Sequence, residues 1–466
     1  MAAPGHVAVF DHGKTSLKLI LVDEAGAVAG RRTAPNHSLD GPPWPRIDVA
    51  GIERWLVEGL GAFAQRARIE AIVATTHGCG FALVDGADPV LPVMDYEAAP
   101  PADIDEARAA PGFEECFTPR LPLGLNGGRQ LFWQQQAAPA EFARARQVLA
   151  LPQFWARRLG GDAASEVTSL ACHGHLWDPR RARLSSLVEA QGWSRLFPPL
   201  APAWRSLGRI DPAIARATGV PVDCRIVCGV HDSNAAWSRH LAAGRDLALA
   251  STGTWVVCFS AAGRLDALDP ARDTLANVDV EGNPVCCSRF MGGREYAAIA
   301  GDAPPATREQ VEATIADMTL ALPGFAGGGG PFPGQEGRIL GPAPRFPAAL
   351  ATLQLALLLD VALDLAGPAA RIVIDGAHVA NAELPPLLAA LRAPARVEVS
   401  VDADGVALGA AMLARRGSRM RLAEPAPRVV APAMIPGLAA YRAAWHAALA
   451  ATPARREEWR RMSTGS

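Results

Sequence analysis

Residues 7–10 form a short apolar run, residues 11–16 are polar and include Gly13, and residues 17–22 are apolar again except for Lys18. Two apolar runs flanking a short glycine-bearing polar segment predict a β-hairpin. The same succession returns at residues 247–250, 251–254 and 255–259. A second pair of segments repeats in the same order. Arg225-Ile226-Val227 leads into Cys228-Gly229-Val230-His231-Asp232, and Arg371-Ile372-Val373 leads into Ile374-Asp375-Gly376-Ala377-His378. Each reads as an apolar strand entering a small-residue turn before a helix. Two matching element types in the same order predict two related α/β domains, at 1–242 and 243–415, followed by an Arg- and Pro-rich extension at 416–466.

Helical patterns occur at residues 53–67, 103–109, 128–136 and 142–158. The apolar tract 350–370 is interrupted by Gln354, Asp360 and Asp364, which predicts a buried helix rather than a membrane span. The stretch 323–337, with glycines at 327–330, reads as a long loop. The basic run 455–461 reads as a solvated helix and tail.

Composition narrows the partners. The chain has 466 residues, 50% hydrophobic and 20% charged, enough apolar material for at least two cores. A net charge of −2 supplies no broad field for nucleic acid or an anionic membrane. The partner expected is a small neutral or phosphorylated molecule. No basic region precedes a long apolar one at the N-terminus, so the expected location is the cytoplasm. The eight cysteines include no CxxC pair and are expected as reduced, buried thiols. Only two lysines occur, Lys14 and Lys18, against 43 arginines.

Gly13-Lys14-Thr15 lacks the earlier glycine of a P-loop, since position 8 is Ala8, and a strand rather than a helix follows. Phosphate contacts there would come from turn amides, the hydroxyls of Thr15 and Ser16, and Lys14. A compact ammonium suits such a contact, so Lys14→Ala is expected to weaken ATP use more than Lys18→Ala. The second turn, Ser251-Thr252-Gly253-Thr254, is also small and hydroxylated, and its glycine permits close approach of phosphate. Each turn alone also reads as an ordinary β-turn; the pair raises the odds of a nucleotide clamp. Asp232 follows a buried strand, where it reads either as a helix cap or as a base for a substrate hydroxyl. His231 beside it, and His77 in the strand-end loop Thr75-Thr76-His77-Gly78-Cys79-Gly80, read as substrate contacts or as core histidines.

Together these segments resemble the FGGY carbohydrate kinase family, within the group of sugar kinases, actin and Hsp70, over about residues 6–415. Asp11-His12-Gly13-Lys14-Thr15 matches the first phosphate hairpin, Ser251-Thr252-Gly253-Thr254-Trp255 the second, and Gly229 to Asp232 the Gly-x-His-Asp element. Glu166-Val167-Thr168-Ser169-Leu170-Ala171, Met291-Gly292-Gly293-Arg294-Glu295 and Ala407-Leu408-Gly409-Ala410-Ala411 are also similar. The resemblance implies an α/β fold of two duplicated ribonuclease-H-like domains with a cleft between them. It implies Asp232 as general base, and Asp11 with Asp232 as ligands of hydrated Mg²⁺. His77, Gly78 and His231 would face the sugar. Asp11, Gly13, Lys14, Thr15, Ser16, Ser251, Thr252, Gly253 and Thr254 would surround ATP phosphates, with Gly376, Ala377 and Asn381 at the adenosine. Where the family has two or three glycines in that adenosine motif, this chain has one, followed by Ala377 and His378.

The expected activity is ATP-dependent phosphorylation of a small sugar, a ketose such as a 6-deoxyketose. The rival readings are an actin- or Hsp70-like nucleotide-dependent binding protein and a catalytically silent sugar sensor. If the chain self-associates, a homodimer is the expected form.

Overall fold

The first hairpin pairs His6–His12 with Ser16–Val22 in antiparallel register and sets Asp11 directly opposite Lys18. In the computed structural model, which describes residues 5–101, 104, 110–241, 244–327, 330–400, 404–416 and 427–452, this hairpin anchors a six-stranded sheet. Its order is Ser206–Arg209, Arg225–His231, Ile69–Thr76, His6–His12, Ser16–Val22 and Val28–Pro35. His6–His12 runs parallel to Ile69–Thr76, which runs parallel to Arg225–His231. Three neighbouring strands therefore end at one edge, carrying Asp11, Thr76 and His231 there. One face packs Phe10, Leu19, Leu56, Phe154 and Trp155 into a core, and the other packs Val7, Val9 and Val73.

A seven-stranded sheet repeats the plan. Leu247–Thr252 and Val256–Ser260 form its hairpin, Pro284–Phe290 adds antiparallel, and Arg371–Gly376 then Arg396–Val399 add parallel on the other side. This duplicated arrangement is the architecture the resemblance implies. The repeat is registered differently from the sequence reading, however. Arg371–Gly376 adjoins its hairpin directly, so its counterpart is Ile69–Thr76. Arg225–His231 lies one strand further out and corresponds to Arg396–Val399. Both pairs begin with similar apolar triplets, which a strand buried on two faces demands wherever it sits.

The chain divides into one unit of Met1–Ala242, Asn277–Pro284 and Asp404–Glu424, and another of Ala243–Ala276, Val285–Ala403 and Pro425–Ser466. This differs from the sequence boundaries at three places, the first being Asn277–Pro284, which joins the first unit. Helix Gly405–Ala414 belongs to the first unit, where Ala407, Ala410 and Ala411 join Val7, Val9 and Val73. Helix Leu438–Ala451 is no appendage: it buries Tyr441 and Trp445 in the second unit's core, where they donate to the carbonyls of Thr319 and Ala321 at 2.6 and 2.7 Å.

The helix expected at 53–67 runs Val49–Ala64, started by the Asp48 carboxylate on the Gly51 amide at 2.9 Å. That expected at 128–136 runs Gly127–Ala137. The single helix expected at 142–158 is instead helix Pro139–Arg144, strand Gln147–Ala150 and helix Leu151–Arg158. Pro152 explains where the last helix starts, because proline is tolerated only in a helix's first turn. The 103–109 pattern, apart from Ile104, and the 455–461 run lie outside the described residues. Helix Pro347–Ala366 is long and apolar enough to cross a membrane by length and composition, and 89% of its apolar window is buried in the protein.

Candidate active site

Glycine at 229 aims the first unit's chemistry. The pairing of Arg225–His231 with Ile69–Thr76 slips between Val227 and Val230, and Gly229 there takes φ +87°. A Cβ at this position would lie 2.4 Å from the carbonyl oxygen of Ala74, so only glycine allows the strands to stay together through the irregularity. The chain beyond the bulge places His231 at the strand end and Asp232 as the first residue of helix Asp232–Leu241.

Asp232 has one oxygen held and one open. Its Oδ1 accepts from the Ser233 amide at 2.5 Å and lies 3.2 Å from His231 Nε2, while Oδ2 takes no hydrogen bond among the described residues. His231 Nδ1 is 2.7 Å from Asn234 Oδ1, and its backbone amide donates to Thr168 Oγ1 at 3.2 Å. Thr168 in turn donates to buried Glu166 at 2.6 Å. Burial opposes charge on His231, but the neighbouring Cys172 sulfur and Asp232 carboxylate outweigh it and push its pKa up to about 9.

Asp11, 6% exposed, is pushed up to about 6 by burial. Lys18, its cross-strand partner at 3.5 Å, pulls the other way, and the charges of Asp232 and Asp404 push up again. Asp404, at the start of helix Gly405–Ala414, is thus a third carboxylate that sequence reasoning missed. Only the return of that helix to the first unit reveals it.

Lys14 is placed differently from its expected phosphate role. Its ammonium forms an ion pair with buried Asp95, lies 3.2 Å from Glu97 and 3.3 Å from Ser38 Oγ, and sits over the Tyr96 ring. Two carboxylates already claim its charge. Lys18, the hairpin's other lysine, is the one beside Asp11. Hairpin register could have found it, because a turn of this length sets residues 11 and 18 opposite each other. In the turn itself, the Gly13 amide donates to Ser16 O at 3.0 Å and Thr15 is exposed.

His77 Nδ1 is 2.8 Å from Gly78 O, and its ring packs edge-on against His12 and Tyr96. Burial lowers its pKa. Gly78 turns its Cα toward neighbouring side chains: a Cβ there would lie 2.2 Å from Cys172 Sγ and 3.0 Å from His231 Nε2. Its smallness lets the strand-end loops pack together.

The second unit assembles its own group. Ser251, Thr252, Gly253 and Thr254 stand at the hairpin turn, with Thr254 exposed. Thr252 is buried and its hydroxyl is spent locally, donating to Asp375 O at 2.6 Å and accepting from the His378 amide at 3.1 Å. Gly376 adjoins it at φ +91°, where a Cβ would fall 2.1 Å from Thr252 O. Strand contact alone therefore requires glycine here, and the residue remains exposed. Ala377 is exposed, and the half-buried imidazole of His378, its pKa lowered by desolvation, packs against Tyr296. Asn381 is also used structurally, donating to Thr352 Oγ1 at 2.9 Å and accepting from the Glu383 amide at 3.2 Å. Gly293 fits beneath the hairpin, since a Cβ there would meet Gly253 O at 2.6 Å.

The pattern described as Carbohydrate kinase FGGY, C-terminal domain, matches residues 244–422. L-fuculokinase of Salmonella typhi is 24% identical over 277 residues, 56% of this chain and 57% of that protein, so the match spans little more than half of that relative. The structure of a ligand-bound xylulose kinase from Lactobacillus acidophilus, 15% identical, shares the fold with a TM-score of 0.77 over 96% of each chain. A carbohydrate kinase from Novosphingobium aromaticivorans is 33% identical, with a TM-score of 0.87, over 96% of this chain and 99% of that one. End-to-end similarity at that identity, joined to the duplicated sheets and the strand-end carboxylates, makes this chain a member of the FGGY carbohydrate kinase family.

Proposed function

We propose that the protein transfers the γ-phosphoryl group of ATP to a hydroxyl of a small sugar, a ketose such as a 6-deoxyketose, with Asp232 as general base. The observation that carries this reading is the asymmetric Asp232 carboxylate, with Oδ1 fixed by Ser233 and His231 and Oδ2 open. A fixed carboxylate with one free oxygen can take a hydroxyl proton without reorganising. As the sugar oxygen bonds to the γ-phosphorus, its proton passes to Asp232 Oδ2. The bond from that phosphorus to the β,γ-bridging oxygen breaks, and ADP leaves.

His231 orients Asp232 and offers a charged donor beside it. His77, with Gly78, lines the sugar side of the same strand ends. The Gly13, Thr15 and Ser16 turn, the Ser251 to Thr254 turn, and Gly376 with Ala377 are the proposed nucleotide contacts. Asp11 and Asp232 fit hydrated Mg²⁺: both are hard oxygen donors, and the Asp11 charge, disfavoured chiefly by burial and further by Asp232, is one that a divalent cation would stabilise. Bound there, Mg²⁺ would neutralise phosphate charge. A cytoplasmic location and a homodimer remain the expected setting.

A coupled ADP-release screen over ketoses, aldoses and polyols tests the reading. Asp232→Asn is expected to lower kcat by roughly 10²–10⁴-fold while ATP-analogue affinity stays near wild type. Full turnover by a normally folded Asp232→Asn protein would remove the assignment. Slow ATP hydrolysis indifferent to every sugar would favour a nucleotide-dependent binding protein instead.

A further inference from the structure

The same end of the first unit's sheet also gathers groups of softer chemistry. The sulfurs of Cys79 and Cys172 and a ring nitrogen of His173 all lie within 4.8 Å of one another. Cys79 Sγ is 2.9 Å from His173 Nδ1, and the two atoms lie 2.7 and 3.0 Å from the Leu125 carbonyl oxygen. Cys172 Sγ is 3.4 Å from His231 Nε2.

These positions are unusually fixed. Cys79 and His173 hold φ of +57° and +34°, a region that is unfavourable for a non-glycine residue and persists only where the surroundings enforce it. Gly78 packs against Cys172 Sγ closely enough to exclude a Cβ, which blocks the sulfur from swinging that way. Both cysteines are free and buried, and they come from loops far apart in sequence.

Two thiolates and an imidazole select zinc over the hard cations that carboxylates bind. The geometry points to a Zn²⁺ site formed by Cys79, Cys172 and His173, with its fourth position open to water or to the Leu125 carbonyl. Zinc ligands stand about 2.3 Å (sulfur) and about 2.0 Å (nitrogen) from the ion and so about 3.5–3.8 Å from one another in a tetrahedron, so binding needs the close Cys79–His173 pair to open slightly and the other ligand spacings to adjust by small movements. Each thiol releases its proton to solvent as its S–Zn bond forms, and no electron is transferred. Loading would commit to the metal the Cys172 sulfur that now borders His231, the histidine beside Asp232 Oδ1. Zn²⁺ therefore acts as an inhibitor of phosphoryl transfer. This last step rests on the proposed kinase function; metal binding does not.

Co²⁺ serves as the probe, added to the full-length reduced protein. The expected result is one ion per chain with thiolate-to-metal charge-transfer absorption and intense tetrahedral bands, both bleached by Zn²⁺. Cys79→Ser and Cys172→Ser should each lose most of the charge transfer, and His173→Ala should weaken the tetrahedral bands, with circular dichroism confirming that each variant folds. Absence of charge transfer in the wild type, or its survival in both serine variants, overturns the site. In a separate assay, Zn²⁺ should inhibit sugar-dependent ADP release by the wild type and a chelator should restore it. Unchanged ADP release at zinc levels that bleach the cobalt bands overturns the inhibitory role. If no sugar supports ADP release, the kinase reading fails while the cobalt spectra still decide the site.

Discussion

Asp11 works against the stability of the fold that holds it. Its pKa is about 6 in the native protein against 3.8 for an ordinary aspartate, so the folded state binds the extra proton between those values. Stability from this group falls as pH rises through that window and stays low above it, a penalty on the order of 3 kcal/mol at neutral pH. Asp11→Asn should therefore raise the urea midpoint at pH 7, gain little at pH 4, and impair Mg²⁺-dependent turnover. An equal gain at both pH values would show that charge is not the cause. His231 carries the opposite sign of linkage. Its pKa of about 9 contributes stability that is full below about pH 6.5 and lost as pH climbs through 9. Urea titrations from pH 6 to 10 should show that decline, and His231→Gln should flatten it. The two lysines differ in their partners. Removing Lys14 leaves buried Asp95 without its ammonium, so Lys14→Ala should cost more folding stability than Lys18→Ala, by about 1–3 kcal/mol. Lys18→Ala should chiefly raise the Asp11 pKa further, visible as a shifted pH profile of turnover.

Close backbone approaches decide which elements could be read from sequence. Both hairpins were legible because each joins two apolar strands through a short polar turn, a local signal. Asp232 was legible for the same reason, at the junction of an apolar strand and a helix. Asp404, the Asp95 to Lys14 pair and the roles of Thr252 and Asn381 were not, because each depends on partners far along the chain. The ambiguous glycines separate on geometry: Gly229 and Gly376 exist for strand contact at positive φ, and Gly409 for helix contact. A Cβ on Gly409 would lie 1.9 Å from Ala235 O, so helix Gly405–Ala414 crosses helix Asp232–Leu241 at nearly backbone distance. Gly409→Val should separate the two helices and lower thermal stability markedly. Because Asp232 begins the second of them, turnover should fall with it, and a variant as stable and active as wild type would disprove the contact.

At the scale of the whole chain, the sheets share one plan, but the helices that finish them do not follow sequence order. The first unit is built from three stretches, with the bulk of the second between them. Residues 405–414 supply Ala407, Leu408, Ala410 and Ala411 to the face formed by Val7, Val9, Ile20, Ala71 and Val73. On a ribosome, the opening sheet therefore waits, with that apolar face bare, until residues 405–414 have been made. Exposed β surface of this kind is a template for misassembly. The arrangement makes nascent chains stalled before residue 405 substrates for chaperones, and a fragment ending at residue 242 should aggregate where the full protein does not.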